Sequence, residues 1–494
     1  MKRGDGGAGP GRVWMPALSL EGDGGTALFR RISHAIVNEI RSGRLTPGTI
    51  LPGSRALAES LGLHRNTVVA SYRELEAEGW LVTELGRGTF VAPAPPGTGG
   101  LPRGRGVAAE PGYPVAQPLP FEFPPPRPPG TFVLTRGAPD VRLLPTAELA
   151  RAYRRVLLRD ARALLTYGDP HGHSRLRQAL SAMLAVARGI DAPPAAILVT
   201  RGSQMALDLI ARAVFEPGDV VAVEALGSPP VWTSFRTAGL TLLPVPVDAG
   251  GLCVDDLVAL SRRQRIRAVY VTPHHQFPTT SVMPVARRTA LLEFARANRV
   301  AVIEDDYDHE FHYDGRPVTP LAAQDDAGTV IYVGTLSKVL APGLRMGFVV
   351  APPPVIERMT SLRVSMDLQG DLAAECAVAE FFESGGFGRH VRRMRRIYRS
   401  RRDALVEALR NELGQRLAFT VPSGGMALWL RAHEEVDVDR WASAAALEGV
   451  VIRSGRMYDF GGASQSHLRL GFTCHDEREL QEAVHRMAAA LKGL

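Results

Sequence analysis

The sequence predicts two folded units of different class: a small N-terminal winged helix-turn-helix and a large C-terminal α/β unit with a mostly parallel central sheet. Three observations lead to this prediction. Two short helical patterns meet at Gly62, which can adopt the positive φ of a tight turn. In the second part of the chain, short β-branched runs that are apolar on both faces alternate with helical patterns. A long stretch rich in proline and glycine separates the two patterns.

That stretch, residues 93–130, is expected to act as a semi-stiff linker, because proline fixes φ and removes a backbone donor. We therefore expect a disordered tail over residues 1–25, the winged helix-turn-helix over 26–92 and the large unit over 131–494. The helical and then mixed pattern near the end predicts a smaller subdomain over about 361–494.

Length and composition exclude several classes of protein. A chain of 494 residues is too long for one ordinary core, and 45% hydrophobic with 22% charged residues is typical of a soluble globular protein. The three cysteines form no CxxC pair, which argues against a disulfide scaffold or a zinc ribbon, and no metal site is expected. Because the chain has neither a bilayer-length apolar run nor a signal-peptide core, a cytoplasmic protein without membrane contact is expected. The net charge of +7 permits nucleic-acid binding without demonstrating it.

The N-terminal unit has the pattern of three helices and a hairpin. The apolar stripe of the first helix is formed by Leu28, Ile32, Ile36 and Ile40. A short helix before Gly62 and another from about Arg65 form a helix-turn-helix, whose second helix can enter a major groove. That second helix is expected to turn inward Val68, Val69, Tyr72 and Leu75. Residues 81–92 predict a β-hairpin, the wing, with Gly86-Arg87-Gly88 at its tip.

The run LPGSRALAESLGLHRNTV and the hairpin after it resemble the GntR family of winged-helix regulators over most of residues 26–91. The resemblance implies contact with double-stranded promoter DNA through Arg55, Arg65, Asn66, Thr67 and Arg87. Taken singly, Arg55 and Arg65 are better explained as solvated surface arginines, and only the whole pattern favours contact with DNA. The base sequence that is read does not follow from this helix.

Six buried strands are predicted in the large unit, where helices would supply the crossovers. They are residues 196–200, 220–225, 267–273, 300–306, 329–335 and 346–352.

The strongest chemical motif is GTLSKVLAPGLRMG, residues 334–347. Lys338 follows a strand and could form a Schiff base with pyridoxal 5'-phosphate. Thr335, Ser337 and Arg345 could hold the phosphate of this cofactor by charge-assisted hydrogen bonds.

Three further motifs supply partners for such a cofactor. In IEDDYDHEF (303–311), Asp305 is expected to pair with the pyridine nitrogen and Tyr307 with the phenolic oxygen, while Asp306 is an open alternative to Asp305. In VTRGSQMALDL (199–209), a helix N-terminus with Ser203 and Gln204 predicts a phosphate cradle. In YGDPHGHSRLR (167–177), Tyr167 could add a phosphate contact.

Together these motifs resemble the fold-type I aminotransferases over about residues 131–494. The wordings YGDPHG, TPHHQFPT, IEDDYDHEF and GTLSK look like the MocR/GabR subfamily of GntR regulators, in which an aminotransferase-like domain follows a winged helix. The resemblance implies a homodimer, domain-swapped head to tail, in which Tyr167 reaches the cofactor of the other protomer. It also implies that Arg469 pairs with the carboxylate of an amino-acid ligand. A surface arginine at a strand end is the alternative for Arg469.

Two positions depart from the pattern of the relatives. Ser228, in EALGS, stands where an aromatic often covers the cofactor ring, and Trp232 is a possible substitute. Phe277 stands where many aminotransferases have an asparagine that holds the phenolic oxygen, which favours a regulator over an enzyme. His275 and Gln276 are possible substitutes for that asparagine.

The arginine-dense segment 389–402 could pass for a second nucleic-acid patch. The apolar stripe formed by Val391, Met394 and Tyr398 favours a packed helix with a solvated basic face instead.

The motifs favour a ligand-responsive transcription regulator that senses an amino acid or amine. A working aminotransferase with an appended winged helix is the second possibility, and a sensor of pyridoxal 5'-phosphate itself is the third.

Overall fold

The computed structural model describes residue 18 and residues 27–96, 110–115, 128–135, 137–463 and 466–494. The chain divides into two compact units, Met1–Pro124 and Pro125–Leu494. Apart from Leu18, the predicted tail lies outside the described residues, as does most of the predicted linker. In the parts of the chain that are described, no helix combines the length and apolar character needed to cross a bilayer.

The described residues of the small unit form a three-helix fold with an antiparallel hairpin. Its elements are α1 (Leu28–Arg41), α2 (Ser54–Leu61), α3 (Arg65–Ala77), β1 (Leu81–Glu84) and β2 (Gly88–Val91). Gly62 ends α2 with a φ of 64°, as its place between two helices predicts. The predicted inward residues of α3 are buried except Val69, which is half-buried because it lies one position round the helix from Val68, at the edge of the apolar face.

The large unit alternates strands with helices along most of its length. Its strands are β3 (Phe132–Val133), β4 (Ile197–Thr200), β5 (Val220–Glu224), β6 (Thr241–Val245), β7 (Val247–Asp248), β8 (Gly251–Leu252), β9 (Ala268–Val271), β10 (Ala301–Asp306), β11 (Val330–Thr335), β12 (Gly347–Val350), β13 (Leu417–Phe419), β14 (Ala427–Ala432), β15 (Val450–Val451) and β16 (His467–Gly471). Its α-helices are α4 (Thr146–Leu164), α5 (Ser174–Arg188), α6 (Ser203–Val214), α7 (Pro229–Thr237), α8 (Val254–Ser261), α9 (Val285–Asn298), α10 (Pro353–Met366), α11 (Leu372–Glu383), α12 (Gly386–Leu413), α13 (Val438–Leu447) and α14 (Glu477–Lys492).

A seven-stranded sheet in the order β4-β12-β11-β10-β9-β5-β6 forms the centre of this unit. Only β12 runs antiparallel to its neighbours β11 and β4, so the prediction of a mostly parallel sheet is confirmed. All six predicted strands lie in this sheet. The edge strand β6 was not predicted, because its sequence contains Pro244 and it is not a continuous run of buried side chains. Proline within a sheet is confined to edge strands such as this one.

Helices cover both faces of the sheet. Ile303 of β10 packs with residues of α6, α7 and α10, whereas its neighbour Val302 packs with residues of α8 and α9. Successive side chains of a strand point to opposite faces of the sheet. Two neighbouring residues at the end of a strand therefore contact different groups.

The C-terminal subdomain is built on a second, antiparallel sheet in the order β13-β14-β16. The first strand of the large unit, β3, pairs in parallel with β15, which places Phe132 opposite Val450 and Val133 opposite Val451. The start of the large unit is therefore part of this subdomain.

The arginine-dense segment lies in α12 and buries Val391, Met394 and Tyr398 as predicted. The expected fully solvated basic face is wrong at two positions. Arg401 and Arg402 are each 4% exposed, and they form ion pairs with Asp140 and Asp314.

Candidate functional site

The predicted cofactor residues lie where strands of the central sheet end. Asp305 is near the end of β10, Lys338 follows β11, and Ser203 begins α6 shortly after β4. Ligands of open α/β sheets bind outside the carboxyl ends of the parallel strands. Motifs that are more than 100 residues apart in the sequence are thus brought to one edge of the sheet.

Lys338 is held inside this edge by a backbone contact. Its Nζ donates a hydrogen bond of 2.7 Å to the carbonyl oxygen of Gly137. Burial and, after it, the nearby cation of Arg469 lower the pKa of Lys338 to about 8, while the carboxylates of Asp308 and Asp305 act in the opposite direction. A lysine with a lowered pKa has a larger fraction of neutral amine near neutral pH, which is the form that attacks a carbonyl.

The two candidate carboxylates of the IEDDYDHEF motif point to opposite faces of the sheet. Asp305 lies on the face of Ile303 and accepts a hydrogen bond of 2.8 Å from the hydroxyl of Tyr270. Asp306 lies on the other face, where it accepts a hydrogen bond of 2.7 Å from the hydroxyl of Tyr332. Only Asp305 interacts with Lys338 strongly enough to be among the groups that shift its pKa.

Asp305 retains one carboxylate oxygen for a partner. Its side chain is buried, and burial raises its pKa to about 7, against the lowering effect of the Tyr270 hydrogen bond. Oδ1 has no hydrogen-bond partner among the described residues. A protonated ring nitrogen would satisfy this oxygen, so the site fits the pyridine ring of pyridoxal 5'-phosphate.

Two glycines allow other groups to pack closely against the start of α6. Gly202 has a φ of 82°, and a Cβ there would lie 2.9 Å from Nη2 of Arg345. A Cβ on Gly347 would lie 2.8 Å from the carbonyl carbon of Gly202. Arg345 is thereby held against the helix N-terminus, where backbone N–H groups and a cation together suit a phosphate.

Two hydroxyls complete the phosphate site. Oγ1 of Thr335 accepts a hydrogen bond of 3.1 Å from the backbone N–H of Ser337. Oγ of Ser337 is buried and has no hydrogen-bond partner among the described residues. A phosphate oxygen would satisfy it, which is a second point of fit for the cofactor.

Three other predicted cofactor residues take different roles in this structure. The amide of Gln204 donates a hydrogen bond of 3.0 Å to the carbonyl oxygen of Pro230, and its side chain is exposed. The hydroxyl of Tyr307 donates a hydrogen bond of 2.9 Å to the carbonyl oxygen of His275. Tyr167 is 83% exposed. The cofactor contacts expected of these residues stay predictions.

Arg469 on β16 is buried at 3% exposure, so it is not the surface arginine of the alternative interpretation. Its Cζ lies 4.8 Å from the ring centroid of Phe277. Nε of Arg469 has no hydrogen-bond partner within the described part of the chain. A buried guanidinium with an unused donor suits a ligand carboxylate.

The possible substitutes at the two departing positions are engaged by the protein itself. Trp232 is 4% exposed and packs edge-on against Phe460, so a stacking role for it stays a prediction. Nδ1 of His275 lies 2.7 Å from Oδ1 of Asp308. Nε2 of Gln276 donates to two backbone carbonyls.

Two residues of the site were not predicted from the sequence. Tyr270 has the sequence context of a core residue in a buried strand. Tyr270 and its neighbour Val269 point to opposite faces of the sheet, and this alternation could have indicated that Tyr270 shares the face of Asp305. Gly137, the partner of Lys338, lies in a loop between β3 and α4 and carries no chemical signal of its own.

The predicted DNA-contacting residues lie on α2, at the start of α3 and at the tip of the hairpin. Those that are exposed are Arg55, Arg65, Asn66 and Arg87. Thr67 is half-buried. Arg87 forms an ion pair of 2.5 Å with Glu84, and Nε of Arg65 donates to Oγ of Ser54 across 3.4 Å. These contacts leave the guanidinium groups at the surface, where a phosphate or a base edge can reach them.

Both units match known families. Residues 28–91 match the bacterial regulatory proteins of the gntR family, and residues 132–487 match the aminotransferases of class I and II.

Relatives share the full order of the two units. The chain is 31% identical to the probable rhizopine catabolism regulatory protein MocR of Rhizobium meliloti, over 97% of this chain and 96% of that protein. It is 31% identical to the HTH-type transcriptional regulator TauR of Rhodobacter capsulatus, over 97% of this chain and 99% of TauR.

Two solved structures that are similar to the large unit are described as aminotransferases. The multiple substrate aminotransferase of Thermococcus profundus is 31% identical with a TM-score of 0.70, over 74% of this chain and 92% of that one. The α-aminoadipate aminotransferase LysN of Thermus thermophilus, complexed with N-(5'-phosphopyridoxyl)-L-leucine, is 30% identical with a TM-score of 0.69, over 74% of this chain and 93% of LysN.

Proposed function

Because the chain belongs to the MocR/GabR subfamily of GntR-type regulators, we propose that it is a transcription regulator whose large unit binds pyridoxal 5'-phosphate and an amino acid or amine. The observation that carries this proposal is the grouping of Lys338, Asp305 and Arg469 at one sheet edge of a chain that also presents an exposed recognition helix, α3.

The cofactor site follows from the chemistry of these residues. Pyridoxal 5'-phosphate, when bound, supplies an aldehyde that combines with amines and a ring that withdraws electrons from them. Lys338 would provide the amine that holds it, and Asp305 would keep a proton on the ring nitrogen. Ser203, Thr335, Ser337 and Arg345 would hold its phosphate, and Tyr307 would pair with its phenolic oxygen.

The ligand is best described as an amino acid or amine. Arg469 provides a buried cation that pairs with a carboxylate, which favours an amino acid. A homodimer is part of the proposal, since the exposed Tyr167 is available to a second protomer. DNA is contacted by Arg55, Arg65, Asn66, Thr67 and Arg87, as the resemblance implies.

Regulation requires that the ligand distinguish two states of the protein. A ligand can shift the balance between two arrangements only if it binds them with different affinity. An amine bound next to Lys338 and Arg469 would change contacts at the core of the site, and this change would supply such a difference in affinity.

The experiment is a DNA-binding titration on the sequence that flanks the gene of this protein. Full-length protein is tested with cofactor removed, with cofactor restored, and with a panel of amino acids and polyamines added. Site-specific binding that changes with one amino acid or amine supports the proposal. A change with the cofactor alone, without a further effect of any amine, makes the protein a sensor of the cofactor. No specific binding in any state overturns the proposal.

A working aminotransferase is the second candidate, because Lys338, Asp305 and Arg469 together suffice to hold a cofactor and an amino acid. Steady multiple turnover of an amino acid with a keto acid would support it. A single half-reaction would not, because a sensor that binds its amine through the cofactor can carry this out as well.

A further inference from the structure

Four histidines come together beyond the ends of β9 and β10. His274 and His275 follow β9, and His309 and His312 follow β10. The ring centroid of His274 lies 4.5 Å from those of His275 and His309 and 6.2 Å from that of His312. Neither the cofactor nor DNA, as proposed above, uses any of these rings.

We propose that His274, His275 and His312 form a binding site for one divalent transition-metal ion of the zinc type. One nitrogen of each ring can be chosen so that the three atoms lie within 4.8 Å of one another. Imidazole nitrogen suits zinc, copper and nickel, and a site with three protein ligands leaves a fourth position open for water or a ligand. Ligand atoms around tetrahedral zinc lie closer than this, so small rotations of the rings complete the site.

His275 is already oriented as a metal ligand. Its Nδ1 lies 2.7 Å from Oδ1 of the buried Asp308. Its Nε2 is buried and has no hydrogen-bond partner in the described ranges. A carboxylate on one nitrogen that fixes the tautomer and leaves the other nitrogen for the metal is the usual arrangement of zinc-binding histidines.

His274 is buried, and neither of its ring nitrogens is used in a hydrogen bond among the described residues. The residue is 3% exposed. A buried polar group without a partner costs folding free energy, which a bound metal would recover.

His312 gives the site a route to solvent. Its ring is half-buried, whereas those of His274 and His275 are buried. The backbone of His312 pairs with Gly424 in the loop before β14. A Cβ on Gly424 would lie 2.5 Å from Nε2 of His275, so the glycine keeps this nitrogen free of a covering side chain.

A second triad shares His274 but suits a cation less well. In it, Nδ1 of His309 lies 2.8 Å from Oδ2 of Asp306, so the two already form a pair. The guanidinium of Arg188 donates a hydrogen bond to the hydroxyl of Tyr332, which in turn donates to Asp306. A positive charge next to the carboxylate opposes a metal ion there.

The test uses the full-length, untagged protein with its cofactor bound. After treatment with a chelator, it is titrated with Zn²⁺ in competition with a chromophoric chelator, and separately with Co²⁺, whose visible d–d bands report nitrogen ligands in a tetrahedral site. We expect one tight site per chain. His312→Asn, at a half-buried position, should abolish it, and Asp308→Asn should weaken it by about 10- to 100-fold.

The matched control is His485→Asn, which removes an exposed histidine outside the cluster and should leave the tight site unchanged. Cofactor absorbance reports whether each variant is folded. The proposal is wrong if the wild-type protein binds no tight Zn²⁺, or if His309→Asn removes the site while His312→Asn retains it. Cofactor and DNA binding are measured separately, so a failure here leaves the proposed regulatory function standing.

Discussion

Lys338 and Gly137 are joined by a hydrogen bond of 2.7 Å from the lysine Nζ to the glycine carbonyl oxygen. Arg469 lies beside the same glycine, because a Cβ added to Gly137 would come within 3.2 Å of Nη2. The glycine thus separates two cations that the proposed function uses for different tasks, one to hold the cofactor and one to hold a carboxylate.

Replacing Lys338 with alanine should abolish the visible absorbance of bound cofactor, because of the two lysines that the structure describes only Lys338 lies at the sheet edge with Asp305. Absorbance of the purified protein after incubation with cofactor and gel filtration measures this. Lys492→Ala, at the exposed end of α14, is the control and should load normally. Equal loading of both variants would contradict the assignment of Lys338.

The rate at which cofactor loads onto the apoprotein should rise with pH and reach half its maximum near pH 8. The pKa of Lys338 is lowered to about 8, and only the neutral amine attacks the aldehyde, so loading is slow below this pH and fast above it. An ordinary lysine would titrate near about 10.4. Replacing Arg469 with glutamine removes a cation that lowers this pKa, and should move the midpoint upward. Stopped-flow absorbance across the pH range checks both statements, and a midpoint that Arg469→Gln leaves in place would contradict the second.

Arg469→Lys should weaken amino-acid binding by about 10- to 100-fold, since it keeps the charge and loses the paired donors of the guanidinium. Titration of the cofactor spectrum with amino acids measures the affinity. Amines that lack a carboxylate should bind as before. Arg431→Lys changes an exposed arginine two positions away from the partner of Arg469 on β14 and should have no effect. A loss that is the same for amines and amino acids would argue against carboxylate pairing.

Arg65→Ala should weaken binding to the operator and reduce the salt dependence of binding by about one counterion, if the guanidinium contacts a phosphate. Fold stability should barely change, because Arg65 is exposed. Fluorescence anisotropy at several salt concentrations measures both the affinity and the slope. Arg73→Ala, exposed further along α3, is the matched control. If the two variants weaken binding equally, Arg65 has no special place in the interface.

Gly202→Ala should weaken cofactor binding, because the new Cβ would lie 2.9 Å from Nη2 of Arg345 and displace it from the helix N-terminus. The positive φ adds a conformational cost of about 1–2 kcal/mol. Gly218→Ala carries a similar backbone cost, with a φ of 93°, but meets nothing within 4 Å. Thermal unfolding should therefore shift in both variants, and cofactor titration should change in only one. A cofactor affinity that Gly202→Ala leaves intact would remove Arg345 from the phosphate site.

The sequence was sufficient for those elements whose signal is local. Strand runs, the turn at Gly62 and the lysine motif each lie within a few consecutive residues, and the structure has the six predicted strands and the helix-turn-helix. The sequence could not show which of Asp305 and Asp306 points to which face of the sheet, because neighbouring residues of a strand point to opposite faces and the end of the strand does not show where the alternation stops. The face of Asp305 is evident only once β9 is paired with β10, which places Tyr270 next to it.

The remaining features depend on contacts between distant segments. Arg401 meets Asp140 across 261 positions of the sequence, which no local pattern reveals. The histidine cluster joins residues that follow two different strands, and composition gave no reason to expect a metal there. In the sequence, His312 has the context of an ordinary polar loop residue. Its place next to the other histidines is evident only from the structure, where its backbone pairs with Gly424.

Because β3 pairs in parallel with β15, the point where the predicted linker joins the large unit lies in the C-terminal subdomain. This subdomain also carries Arg469, whereas Lys338 follows β11 of the seven-stranded sheet. Gly137, five residues after Phe132, contacts the lysine through its carbonyl oxygen. A ligand that drew Arg469 toward the sheet would therefore also move the point where the linker joins the large unit.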